Sequence, residues 1–247
     1  MRFADHFSNQ AADYARHRPH YPAALFEWLS SLPDRRERAL DVACGSGQAA
    51  VPLCEYFPRV IGSEPSLAQL QYAETHPAID YICSTAEQLP FADQQFELIT
   101  SAQAVHWFDH SRFNREVERL LKPGGVLAVW GYGLFSIEPA IDQLIEHYYS
   151  ETVGKYWPPE RHWIEKGYAG LPFPFETFDT PGFKIEVEWS LPQVIRYLFT
   201  WSATQHYMAE HDDDPLLELE KRLAEHWRDP SQPKTIHWPI HLLAGRK

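Results

Sequence analysis

The residues with the clearest chemical capacity are Gly45-Ser46-Gly47-Gln48-Ala49-Ala50, which fit the spacing G-x-G-x-x-G/A, and Glu64, about twenty residues on. Glycine lets the main chain turn sharply and lets a nucleotide lie close to it. A carboxylate at the end of the next strand can accept hydrogen bonds from both hydroxyls of a ribose. Dinucleotides and S-adenosylmethionine both carry that diol. Charge separates the two. Asp41 precedes the glycines and no Lys or Arg lies between Asp41 and Phe57, a poor setting for a pyrophosphate. An ammonium and a sulfonium suit acidic surroundings better. The glycine spacing by itself leaves an NAD(P)-dependent oxidoreductase open.

A second set, Gln103, His106 and Trp107, follows the fourth expected strand, and ligands of open α/β sheets sit beyond the carboxyl ends of the strands. That puts these side chains beside the reacting group. His106 has two roles open to it: a general base for a hydroxyl, amine or carbon acid, or an orienting and packing histidine. A carboxylate acceptor, ionised near neutral pH, needs no base. Trp107 reads as a chamber wall. Further along, Tyr132, Trp157, Arg161, His162, Trp163, Tyr168, Phe173, Phe175 and Trp201 mix aromatic surface with a cation. Such a wall can enclose a small, partly apolar molecule with one anionic end. His6, His17, His20, His237 and His241 show no paired spacing with carboxylates, so no metal is expected.

Positioning these residues needs strands that stop just before them. From Ala39 short apolar runs alternate with helical patterns, the signal of a parallel sheet built by crossovers. Strands are expected at 38–44, 59–63, 81–83, 96–101 and 126–130. Helices are expected at 48–57, 65–76 and 111–121, with Pro52 a breaker inside the first and Ser66 a cap for the second. Lys122-Pro123-Gly124-Gly125 stops the third. Beyond lie a helix at 139–149, a Pro- and aromatic-rich stretch at 156–178 that reads as a lid, an antiparallel strand at 183–191, helices at 192–208 and 215–227, and a closing strand at 236–244. The fold class is α/β: a doubly wound, mostly parallel seven-stranded sheet with an antiparallel C-terminal strand and a helical, aromatic lid. One domain over 1–247 is expected, with an N-terminal extension at 1–32, a cofactor-binding core at 33–135, a lid or substrate insertion at 136–182, and C-terminal elements completing the sheet at 183–247.

Composition narrows the partners. Of the 247 residues, 44% are hydrophobic and 23% charged, near the averages for soluble globular chains. The 9 Trp, 12 Tyr and 14 Phe suit a ligand-enclosing wall or a bulky core. A net charge of −12 without any Lys/Arg run disfavours nucleic acid and anionic lipid. No apolar run approaches the length of a membrane span, and the N-terminus lacks the apolar core of a signal peptide. Cys44, Cys54 and Cys83 form no CxxC pair, which fits a reducing, cytoplasmic compartment. The expected partner is a small-molecule substrate, with neither nucleic acid nor membrane, acted on by a monomer or homodimer.

Leu40-Asp41-Val42-Ala43-Cys44-Gly45-Ser46-Gly47 resembles the glycine-rich motif of class I S-adenosylmethionine-dependent methyltransferases, with Ala43 where a glycine is commoner. Ala86-Glu87-Gln88-Leu89-Pro90-Phe91, Phe96-Glu97-Leu98-Ile99-Thr100-Ser101 and Leu121-Lys122-Pro123-Gly124-Gly125 follow in the order and spacing of that family. Tyr14, Arg18-Pro19, Tyr21-Pro22, Gln103-Ala104-Val105-His106-Trp107-Phe108 and Thr200-Trp201-Ser202-Ala203 are similar to its small-molecule branch, which includes fungal trans-aconitate methyltransferase. The resemblance implies S-adenosylmethionine as cofactor and direct in-line methyl transfer to a small molecule, a carboxylic acid among the options. It places Gly45 and Gly47 beneath the methionine portion and Glu64 on the ribose hydroxyls. Tyr14 and Arg18, in the N-terminal extension, would cover the amino-acid end, Arg18 forking onto its carboxylate. Asp41, Ala43, Cys44, Pro65, Thr85, Ala86 and Gln103 complete the expected cofactor set. Thr85 stands where many relatives carry an acid facing the adenine amino group, which leaves adenine to the Ala86 amide. A protein that binds the cofactor without transferring a methyl group is a second alternative.

Overall fold

The computed structural model describes residues 18–247. Helix α1 (Ala23–Ser31) buries Leu25, Phe26 and Leu29 and leads into strand β1 (Arg38–Val42). The helix expected at 48–57 shortens to α2 (Ala50–Leu53). Pro52 has no N–H to donate, and the chain winds on through tighter turns in which Cys54, Glu55 and Tyr56 donate to the carbonyls of Val51, Pro52 and Leu53. Strand β2 (Arg59–Ser63) follows. The next helix, α3 (Leu67–Leu70), starts as expected at Ser66, whose hydroxyl accepts the Gln69 N–H at 3.3 Å. It stops early because the Glu74 N–H turns back to the Ser46 carbonyl, tying this segment to the glycine loop.

Strands β3 (Ile79–Ile82) and β4 (Phe96–Ala102) are followed by α4 (His110–Leu120), which is capped by Asp109 and turns Phe113, Val117 and Leu120 inward. Strand β5 (Leu121–Tyr132) begins earlier than expected, since Gly124 and Gly125 pair with the C-terminal Lys247. Helix α5 (Pro139–His147) runs into a π-turn at Tyr148–Thr152. Helical turns at Gly154–Tyr156 and Pro159–Arg161 then lead to α6 (His162–Glu165). After strand β6 (Lys184–Trp189), the helix expected at 192–208 is divided into α7 (Leu191–Phe199) and α8 (Ser202–His211). The break falls where the Thr200 hydroxyl donates to the Tyr197 carbonyl at 2.6 Å and Trp201 becomes extended. Helix α9 (Leu216–Trp227) and strand β7 (Lys234–Arg246) complete the chain.

The seven strands lie in the order β3-β2-β1-β4-β5-β7-β6, with β7 antiparallel to both neighbours. Both faces of the sheet are covered. Along β5, Val126, Ala128 and Trp130 join one apolar cluster while Leu127 and Val129 join the other, the period-two alternation of a pleated strand. Along β1, Ala39 joins the first, and Leu40 and Val42 the second. Chain order reverses between β1 and β4, and the crevice beyond the carboxyl ends of such strands is where open α/β sheets bind ligands. No helix among the described residues is long and apolar enough to cross a membrane.

Candidate active site

A cavity of about 490 Å³ opens at that crevice, within the roughly 300–1,000 Å³ range of small-molecule sites. Its wall is made by the segments that follow four strands: Asp41 to Ser46 at β1, Glu64 and Pro65 at β2, Thr85 and Ala86 after β3, and Ala102 to Ala104 at β4. The segment carrying Thr85 and Ala86 is held from behind. Glu116 accepts the Leu89 N–H at 2.9 Å, and Arg119 donates to the carbonyls of Leu89 and Phe91 at 3.1 and 2.6 Å. Glu87 accepts the Asp109 N–H at 3.1 Å and thereby ties the same segment to the start of α4.

Asp41 is 1% exposed. One carboxylate oxygen accepts the Thr100 hydroxyl at 2.8 Å, while Oδ2 has no partner. Burial pushes its pKa up to about 7, against the Thr100 hydrogen bond, and the nearby Glu64 charge adds to the rise. A cation placed in the cavity would satisfy Oδ2 and hold the group ionised. Glu64 is also buried, and its two oxygens accept the Gly45 N–H at 3.0 Å and the Ser66 N–H at 2.9 Å. Those bonds fix the carboxylate and leave it lone pairs for a diol. Gln48 lines the same cavity with a buried, unpartnered Nε2. Sequence reasoning missed it, because a glutamine inside a glycine motif carries no signal of its own.

The backbone of the glycine loop is left-handed at Ala43 (φ 55), Gly45 (φ 56) and Gly47 (φ 93). Gly45 lines the cavity. Gly47 does not, contrary to its expected place beneath the cofactor: an added Cβ would lie 2.4 Å from the Tyr81 hydroxyl. The same Tyr81 ring presses on Gly62, where a Cβ would come within 2.7 Å. Gly47 therefore answers to packing against Tyr81. Ala43 occupies the conformation that explains why glycine is commoner there, since an L-residue is strained in it.

A smaller inner chamber of about 50 Å³ adjoins the first, and Gln103 and Trp107 line both. The structure brings Tyr132, Trp157, Arg161 and Trp201 into its wall with His106, as the sequence had suggested, and adds Arg18, Tyr197 and Ile164. Gln103 is itself left-handed (φ 54); its Nε2 donates to the Tyr132 carbonyl at 3.0 Å and its Oε1 is buried without a partner. Arg161 lies over the Trp157 ring at 4.5 Å and donates from Nε to the Tyr149 hydroxyl at 3.1 Å. His106 is buried with Nδ1 unpartnered; burial first, then the charges of Arg161 and His110, push its pKa down to about 3.

Other expected residues fall elsewhere. Trp163 is against His110 and His162, at ring separations of 5.8 and 4.4 Å, and lines neither chamber. It packs, half-buried, against the same apolar cluster as Ile164, and only Ile164 reaches the inner chamber. Tyr168, Phe173 and Phe175 belong to the apolar cluster on the sheet face covered by α4. Arg18 lines the inner chamber instead of the larger cavity, with its guanidinium over the Tyr197 ring at 5.1 Å and donating to the Thr200 carbonyl at 3.4 Å. Tyr14, His6 and His17 lie outside the described residues. Among the described residues no group of three or more His, Cys, Asp or Glu is arranged to hold a metal ion.

Known proteins resemble this chain over most of its length. The profile of the methyltransferase domain family matches residues 40–129. A Dictyostelium discoideum protein named as a methyltransferase is 33% identical over 253 residues, spanning 100% of this chain and 96% of its own. A Mycobacterium tuberculosis protein, named an uncharacterized methyltransferase, is 31% identical over 186 residues, or 74% of this chain and 70% of its own. A solved structure from Anaeromyxobacter dehalogenans, described as a type II methyltransferase, is 40% identical with a TM-score of 0.87, covering 93% of this chain and 97% of that one. The chain belongs to the class I S-adenosylmethionine-dependent methyltransferases. It is an enzyme of that family, whose cofactor, S-adenosylmethionine, fits the acidic cavity with its unpartnered Asp41 oxygen.

Proposed function

We propose that the protein methylates the carboxylate of a small acid held in the inner chamber. The observation that carries this reading is the chamber's charge: Arg18 and Arg161 line it, and no Asp or Glu does among the described residues. S-adenosylmethionine supplies, when bound, an electrophilic methyl group; a carboxylate oxygen that displaces it leaves the electron pair of the broken carbon–sulfur bond on sulfur and, being already ionised, has no proton to lose. His106, with its pKa near 3, is a poor proton acceptor at neutral pH. An acceptor that is already ionised suits such a site.

In this reading Asp41 pairs the cofactor's ammonium, Glu64 the ribose hydroxyls, and Thr85 and Ala86 flank the adenine. Gln103 and Trp107, shared by both cavities, stand where the methyl group passes. Trp157, Trp201 and Tyr132 keep water from the reacting atoms, which favours a charge-neutralising displacement. Arg161 orients the acid so that one oxygen faces the methyl carbon. The test is a screen of small carboxylic acids, phenols and amines with methyl-labelled cofactor, read by product mass. Methyl esters are expected; methylated phenols or amines without any ester would sink the carboxylate assignment.

A further inference from the structure

The inner chamber is too small for most acids. Its 50 Å³ holds about four water-sized groups, which is a carboxylate and little else. Beyond it lies a third cavity, about 330 Å³, open to solvent at Ser150, His162 and Glu165. The two share a wall of Trp157, Pro158 and Arg161. Arg161 is held in that wall from the outer side: its Nε donates to the Tyr149 hydroxyl at 3.1 Å, and the Tyr149 hydroxyl donates to Glu165 at 2.6 Å. Tyr149 belongs to the π-turn at Tyr148–Thr152, and single π-turns in helices recur at functional sites. The guanidinium thus borders both spaces, with a carboxylate-sized chamber on one side and a larger, open recess on the other, where Tyr149, Trp157, Pro158 and Pro159 stand beside Ser150, His162 and Glu165.

We propose that the two spaces hold one elongated acceptor: a monocarboxylate whose head lies in the inner chamber and whose uncharged tail runs past Trp157 and Arg161 into the outer cavity. The proposal rests on the carboxylate reading above. Tyr149, Trp157, Pro158 and Pro159 give the tail apolar surface. Glu165 lines the same cavity and repels a second negative charge there, which selects against dicarboxylates of matching length. The cofactor and the acceptor then occupy opposite sides of the Gln103 and Trp107 wall.

The experiment is calorimetric titration of the full chain, loaded with S-adenosylhomocysteine, by propionate, butyrate, hexanoate, octanoate and adipate. Affinity should climb by up to about fourfold per added methylene until the outer cavity is filled, as burial of apolar carbon requires. Adipate should bind at least tenfold more weakly than hexanoate, an order of magnitude set by like-charge repulsion. Gly154 lines the outer cavity, and a Cβ there meets nothing nearer than the Tyr149 carbonyl oxygen at 3.6 Å, so Gly154→Trp can fill the cavity. It should flatten the climb with chain length. Ser150→Trp, on the same wall, serves if that variant fails to bind S-adenosylhomocysteine. Acids that bind and depend on Arg161, tested with Arg161→Gln, yet show no rise with length, or a rise that the tryptophan leaves intact, overturn the elongated acceptor alone. No binding of any acid by protein that does bind S-adenosylhomocysteine, or binding indifferent to Arg161→Gln, overturns the carboxylate reading and this proposal with it.

Discussion

The two adjoining cavities are built by different means. The larger is a product of the sheet: each segment of its wall sits where a strand ends, and its charged groups are fixed by main-chain amides and by Thr100 of the neighbouring strand. The inner chamber is a product of side chains that meet from distant segments, Arg18 before α1, His106 after β4, Trp157 and Arg161 after the π-turn, and Trp201 between α7 and α8. Their electrostatics are opposite. The first buries carboxylates and raises Asp41, whereas the second collects arginines and depresses His106. Under the proposed function, a methyl donor that carries positive charge and an acceptor that carries negative charge would be sorted to opposite sides of Gln103 and Trp107.

The sharpest way to break this contrast is pH. Asp41 titrates near its ordinary value of 3.8 when unfolded and at about 7 in the fold. Between those values the native chain holds a proton that the unfolded chain has lost, so stability falls as pH rises. The loss in the cofactor-free protein is on the order of 4 kcal/mol across the window. Melting temperatures followed from pH 4 to pH 8 should decline in the wild type relative to Asp41→Asn; parallel curves would remove Asp41 as a strained acid. The same variant should weaken S-adenosylmethionine by about 100-fold in calorimetry, the order expected when one partner of a buried charge pair is lost. Wild-type cofactor affinity should rise between pH 6 and pH 8 as Asp41 gives up its proton.

On the acceptor side, His106→Asn should change turnover of a carboxylic acid by less than about threefold, against the 10²–10⁴ loss that follows removal of a general base. A hundredfold loss would show that the two chambers do not divide the chemistry as their charges suggest. The smallest effect is expected at Ala43→Gly. Relief of the left-handed strain is partly cancelled by the greater entropy of unfolded glycine, leaving a gain of about 0.5 kcal/mol in chemical denaturation. A destabilised variant would mean that the Ala43 methyl group contributes packing that outweighs its backbone strain.

The sheet and the strand-end part of the first cavity were legible in the chain. Asp41, Gly45 and Glu64 declare themselves because a turn after one strand and an acid after the next have fixed spacing, and the sheet converts that spacing directly into position. Gly47 lies outside the cavity lining, and the Tyr81 ring leaves no room for a Cβ there, a contact that a motif cannot register. The helices at 48–57 and 65–76 were read too long because Pro52 and the tie from Glu74 to Ser46 act locally, against an otherwise helical pattern. In the second cavity Tyr132, Trp157, Arg161 and Trp201 were named from residue type alone, and Trp163 was named with them.

The alternation of strands and helices and the acidic cofactor loop follow from the chain alone, because they depend on short-range periodicity and on backbone conformations that few residues can adopt. Which rings and cations converge is set by the folded packing. Arg18 and Arg161 line one chamber although 143 positions separate them, and Trp163 packs against an apolar cluster while its neighbour Ile164 reaches the chamber. Side-chain convergence of that kind depends on the packing of whole segments against the sheet, and no local spacing encodes it.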